Sequence, residues 1–204
     1  MLTEWSAECA ADDPVLVVPW ADPSDPNRRF IDLREDPYEL DHLEEAAQYP
    51  ALMHALRALN ATRSPVFTAK CDAWPIDPGE DQEDQAELAH LRLNLDLIPE
   101  ESPSGFASYI DLLWRERSIF ASVHRHEQIL DRLTRLAAPL DHPHAMIDCV
   151  IRPALVDLAG PQEGFAVSLY IKALGHDQSA SEQNWATALE AAVALLRSRA
   201  FSLS

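Results

Sequence analysis

The chain has 204 residues, 47% apolar and 25% charged, enough to bury roughly 70% of its unfolded surface as one large domain or two small ones. Its 34 acidic residues outnumber 16 basic ones for a formal charge of −18, which repels phosphate backbones and anionic lipid and excludes nucleic acid and membrane as partners. Three scattered cysteines, Cys9, Cys71 and Cys149, form no C-x-x-C pair; with no signal-peptide pattern in MLTEWSAECAADD and no apolar run near the ~18 residues of a membrane span, a reducing cytoplasm is the expected setting.

In chain order, VLVVPW and RFIDLR read as strands around the turn ADPSDPNR. DPYELDHLEEAAQYPALMHALRALN then reads as helix, with Asp36 as N-cap, Pro37 at the first helical position and Glu39 three residues past the cap. Pro50 breaks or kinks it, leaving Leu52, Ala55, Leu56 and Leu59 on one side of the second piece. PVFTAKCDAW and ELAHLRLNLDLI read as the next two strands, separated by the acidic loop PIDPGEDQEDQ. SPSGFASYIDLLW opens on Ser102 and Pro103 and carries Phe106, Tyr109, Ile110, Leu113 and Trp114 at helical spacing, although the same stretch also fits a strand. The helical pattern continues through Phe120, Val123, Leu130 and Leu133 to Pro139, with a break expected near Arg115 to Ser118. Last, AMIDCVIRPALVDL and GFAVSLYIKAL read as strands around AGPQE. A helix follows, opened by the Ser179/Glu182 box and carrying Trp185, Leu189, Ala192, Val193 and Leu196 on one face.

This order predicts an α+β fold: one domain, 1–204, with an antiparallel sheet built from three β-β-α units (pseudo-repeats 14–61, 65–140 and 145–201) and helices packed on one face. The leucines of HLRLNLDL would face the helices, while His90, Arg92, Asn94 and Asp96 would share the polar face with Thr68, Lys70 and Asp72. A register setting Asp72 opposite Arg92 and Lys70 opposite Asn94 keeps like charges apart, and Asp148 and Lys172 allow a similar pair.

That face has two readings. As a binding floor it uses Lys70, His90, Arg92 and Asp96, with Trp20 and Trp74 rimming one end; as the wet side of a sheet it needs only salt pairs. An enzymatic alternative is a hydrolase with His90 as base, Arg92 as anion clamp and Asp96 as orienting carboxylate. The histidines do not make a metal site. His124 and His126 lie about 200° apart on a helix, and His142 and His144 are about 21 Å from His126 along it. Asp148 is about 13 Å further along the strand. Five glycines supply no phosphate-binding loop, no G-x-S-x-G elbow is present, and the acidic loop lacks EF-hand spacing, so no cofactor is implied. The expected function is a binding or assembly module whose partner is a protein, a second copy of the chain or a small molecule.

Overall fold

A computed structural model of the chain describes residues 1–25, 28–77, 82–95 and 104–198. Among the described residues six strands form one sheet: β1 (Leu2–Ala7), β2 (Leu16–Val18), β3 (Val66–Ile76), β4 (Ser104–Trp114), β5 (Ala145–Asp157) and β6 (Pro161–Gly175). Their order is β1-β5-β6-β4-β3, with β2 pairing the far end of β5 beyond β1. The β1 and β2 pairings are parallel; all others are antiparallel. The helices are α1 (Glu44–Gln48), α2 (Pro50–Asn60), α3 (Gln82–Asn94), α4 (Arg117–Phe120), α5 (Val123–Ala137) and α6 (Gln178–Leu196), with a 3-10 turn at Pro37–His42.

Local chemistry accounts for most boundaries. The Asp36 carboxylate accepts the Tyr38 N–H at 3.0 Å and starts the 3-10 turn, and Pro50 opens α2 at the position where its missing N–H costs nothing. Asp177, two residues before the expected Ser179, caps α6 by accepting from the Ala180 N–H at 2.8 Å. Gly160 turns β5 into β6 with φ +101°, a backbone that L side chains rarely adopt.

One face of the sheet carries the main core. Phe106, Ile110 and Trp114 of β4, Ile147 and Ile151 of β5 and Leu169 and Ile171 of β6 bury against Leu52 and Leu56 of α2, Leu130 and Leu133 of α5, and Trp185 and Leu189 of α6. The Trp185 indole N–H finds a partner in that core, donating to Ser108 Oγ at 2.8 Å. Asn60, at the end of α2, ties helix to sheet: its amide donates to Thr68 Oγ1 at 2.8 Å and accepts the Thr68 N–H at 3.1 Å.

Two neighbouring segments exchange their expected roles. ELAHLRLN is helix α3 and SGFASYIDLLW is strand β4. Leu88 and Leu91 are spaced for one helical face and bury there, with Leu95 half-buried beside them, while the alternate Leu93 is 79% exposed. Residues 82–95 contain no β-branched side chain, whereas β4 is rich in aromatic and branched residues and is buried on both faces, which erases its alternation. Gly105 matters here, since a Cβ on it would stand 2.7 Å from Leu88 Cδ2; its absence lets α3 settle on the sheet.

The three-unit arrangement therefore does not describe the chain. RFIDLR forms no strand beyond a bridge between Ala21 and Arg29, β1 lies in a stretch assigned no element, and the middle of the chain runs β3-α3-β4-α4-α5. Nor do all the helices share a face. α3 packs on the side opposite α2, α5 and α6, in a small second cluster of Ile76, Leu88, Leu91, Ala107, Met146 and Leu174. No described helix is long and apolar enough to cross a membrane.

Candidate functional site

The sheet's second face is covered at its two ends and open between them. At one end α3 lies over Ile76, Ala107 and Met146. At the other, Trp20 and Arg34 come over the sheet, with the Trp20 indole bonded to the Ala69 carbonyl and the Arg34 guanidinium 4.0 Å above the Phe67 ring. Strand register lays out the floor between these walls as rows of cross-strand neighbours. One row runs Lys70, Asp111, Ser168, Val150, Ser6; the next runs Asp72, Tyr109, Tyr170, Asp148, Glu4; the third runs Trp74, Ala107, Lys172, Met146, Leu2.

A β-bulge sets the β3 end of this floor. The register slips between Thr68 and Lys70, so Thr68 lies opposite Leu112 and turns to Asn60 on the helix side, while Lys70 lies opposite Asp111 on the open side. The expected sharing of one face by Thr68, Lys70 and Asp72 is thus corrected for Thr68. The extra residue, Ala69, has a carbonyl free of the ladder, and it accepts the Trp20 indole N–H at 2.8 Å. That bond brings Trp20 to Lys70, whose ammonium sits 5.5 Å from the indole centroid. Between them and Asp72, Tyr109, Glu44 and Glu45 lies a cavity of about 1000 Å³.

The middle of the floor is polar but tightly connected. Ser168 donates to Asp111 Oδ1 at 2.5 Å, and Asp111, only 7% exposed, has its carboxyl pushed up by burial against the pull of Ser168, Arg152 and Lys70. Tyr109 and Tyr170 stand with ring centroids 6.0 Å apart, and Trp74 meets Tyr109 edge-on at 6.2 Å. Burial, then the Asp111 and Asp72 charges, push the Tyr109 phenol well above its ordinary value. Burial also raises Asp148, with Glu4 and Glu8 adding to it and Lys172 and Arg152 opposing.

Comparison with protein-family models, with curated proteins and with solved structures gave no match. The site is therefore read from its own geometry.

Of the residues singled out in the sequence, Trp20, Lys70 and Trp74 come to this face. His90 and Arg92 do not join the rows: they stand on α3, where the exposed His90 is 3.0 Å from Asn94 one turn on. Asp96 lies outside the described residues. The expected pairs Asp72–Arg92 and Lys70–Asn94 are replaced by Asp72–Tyr109 and Lys70–Asp111, because the strand beside β3 is β4. Asp148 and Lys172 do share the face, but Asp148 lies opposite Tyr170, and the Lys172 ammonium pairs with Glu87 of α3 at 2.7 Å.

His126 is buried in the main core with Nδ1 2.9 Å from the Ser122 carbonyl, and burial holds its pKa down. His124 faces outward toward Glu127 at 3.2 Å. Among the described residues no group of three His, Cys, Asp or Glu side chains is placed to hold a metal. Burial pushes the Cys71 thiol up to about 12, leaving it protonated at neutral pH.

The sequence reading missed Tyr109, Asp111, Ser168, Tyr170 and Arg152. Their signal was polar or aromatic residues on one alternating face of otherwise apolar strands: Tyr109 and Asp111 in β4, Ser168, Tyr170 and Lys172 in β6, and Asp148 and Arg152 on either side of Val150 in β5.

Proposed function

We propose that the chain is a binding module whose site is the uncovered middle of this sheet face: Lys70, Asp72, Tyr109, Tyr170 and Asp148, flanked by Trp20 and Trp74. The observation that carries the reading is the row Asp72, Tyr109, Tyr170, Asp148, Glu4, which crosses five strands with half-exposed aromatic and charged side chains between two covered ends. Tyrosine and tryptophan give contact area at low entropic cost and favour interfaces. The hydrolase reading needed His90, Arg92 and Asp96 on one strand, and no observation favours it. We take the whole chain as the functional unit, a view supported by β5, which pairs with β1, β2 and β6 from both ends of the sequence.

Native mass spectrometry of the untagged protein and of its Tyr170→Ala variant tests the proposal. The expected result is a bound molecule or a defined oligomer in the parent protein that is reduced in the variant. A bound species of equal abundance in both, or bare monomers from both, would overturn it.

A further inference from the structure

We infer that the occupant of this face is an extended, arginine- or lysine-bearing segment of a partner protein, an inference that rests on the binding reading above. Four inter-strand steps of ~4.8 Å make the row from Asp72 to Glu4 about 19 Å long, which matches about six extended residues at ~3.3 Å each. An open floor of that length fits a chain laid across the strands better than an enclosed small ligand.

Asp148 lies directly opposite Glu4, an arrangement of like charges that costs energy unless a cation intervenes. The basic side chains nearest to them, Lys172 and Arg152, pull on Asp148 but are shared with other carboxylates: Lys172 pairs with Glu87 at 2.7 Å and Arg152 with Glu8 at 3.1 Å, so acidic groups outnumber cations here. The far end of the row is a third carboxylate, Asp72, whose neighbour Lys70 lies over Trp20. Between the carboxylates stand Tyr109 and Tyr170. Tyr170 already receives a guanidinium from within the chain, with Arg152 Cζ 6.0 Å from its centroid, and such rings accept further cations on an exposed face. The net charge of −18 would steer a basic partner toward the molecule from a distance.

Strand addition at β3 is hindered because several of its edge groups are already engaged. The Thr68 N–H is taken by Asn60, the Ala69 carbonyl by Trp20, the Val66 carbonyl by Arg115 and the Ala73 N–H by Asp72, and Pro75 has no N–H to offer. This partly engaged edge favours a partner segment that lies over the face and is held by side chains.

The test is titration of a synthetic peptide alternating arginine and threonine, by calorimetry at physiological salt, against the full chain and two charge-matched double variants. One pair lies in the row, Glu4→Gln with Asp148→Asn; the other lies off it at exposed carboxylates, Asp157→Asn with Glu190→Gln. The row pair should weaken binding about tenfold or more, and the other pair less than about twofold. Equal weakening by both pairs would mean adhesion through net charge and would overturn the inference. Spermine binding as tightly as the peptide, with the same dependence on the row, would assign the face to small polyamines and overturn it too. If a glutamate–threonine peptide binds the face and the arginine peptide does not, the inference fails while the binding reading stands. No binding by any probe overturns the inference, and the mass experiment above then judges the reading by itself. Tyr170→Ala supplies a second variant free of charge change, expected to weaken the arginine peptide as well.

Discussion

On the helix side of β4, Phe106 packs against Trp185 with ring centroids 4.5 Å apart, and Ile110 and Trp114 are buried in the same cluster. One residue along the strand and on its other side, Tyr109 and Asp111 meet Tyr170 and Ser168. The same five strands thus present a dry face closed by three helices and a polar face closed only at its ends. The dry face supplies most of the burial that holds the fold, so the polar face is free to carry side chains chosen for what they contact.

Substitutions on each face should separate these roles. Trp185→Ala empties the centre of the dry face and should cost about 3–5 kcal/mol of unfolding free energy in urea melts. A cost below about 1 kcal/mol would remove the asymmetry on which the comparison depends. Leu91→Ala, in the small cluster under α3, should cost about 2–3 kcal/mol. Amide exchange should quicken in α3 while β5 and β6 stay protected. Trp20→Phe removes the bond to the bulged Ala69 carbonyl and should cost about 1 kcal/mol, with any peptide affinity changing more than stability does.

The smallest effect is a slope with pH. The Asp111 carboxyl is raised in the folded chain, so the folded state holds its proton more tightly than the unfolded one. The contribution is fully present below the ordinary carboxylate value near 3.8 and is lost as pH rises through the higher folded value. Asp111→Asn should therefore gain stability relative to the parent between pH 4 and pH 7 in denaturant melts. A difference that stays flat or reverses would show that the charge of Asp111 is compensated in place.

How far the sequence disclosed these two faces depended on whether the deciding contact was local. Asp36, Pro50 and the Trp185–Leu189–Leu196 spacing act within one turn or one helix, and α2 and α6 appear where those signals put them. The strands β3, β5 and β6 follow from branched runs and the turn at Gly160. The exchange between α3 and β4 had another cause. The alternating leucines also contain a four-residue step, Leu91 to Leu95, and Leu88 lies three residues before it; the choice was made by Gly105 and Ala107, small enough to admit Leu88 and Leu91 against the sheet. β1 was invisible for the same reason, since Leu2–Ala7 becomes a strand by pairing with β5 far along the chain. At the site, Lys70, Trp20 and Trp74 were found as strand-end and strand-face residues. Tyr109 and Asp111 were hidden by the helical reading of their segment, and the bulge that parts Thr68 from Lys70 has no mark in the local pattern.

The central claim is that the polar face is the surface that other molecules meet. Hydroxyl-radical footprinting of the untagged chain, in extract from the cells that make it and again after purification, addresses this at Tyr109, Tyr170 and Trp74. The account predicts that all three are protected in extract and become reactive on purification, while exposed Tyr38 reacts equally in both. Equal reactivity of the three residues in the two samples would contradict it.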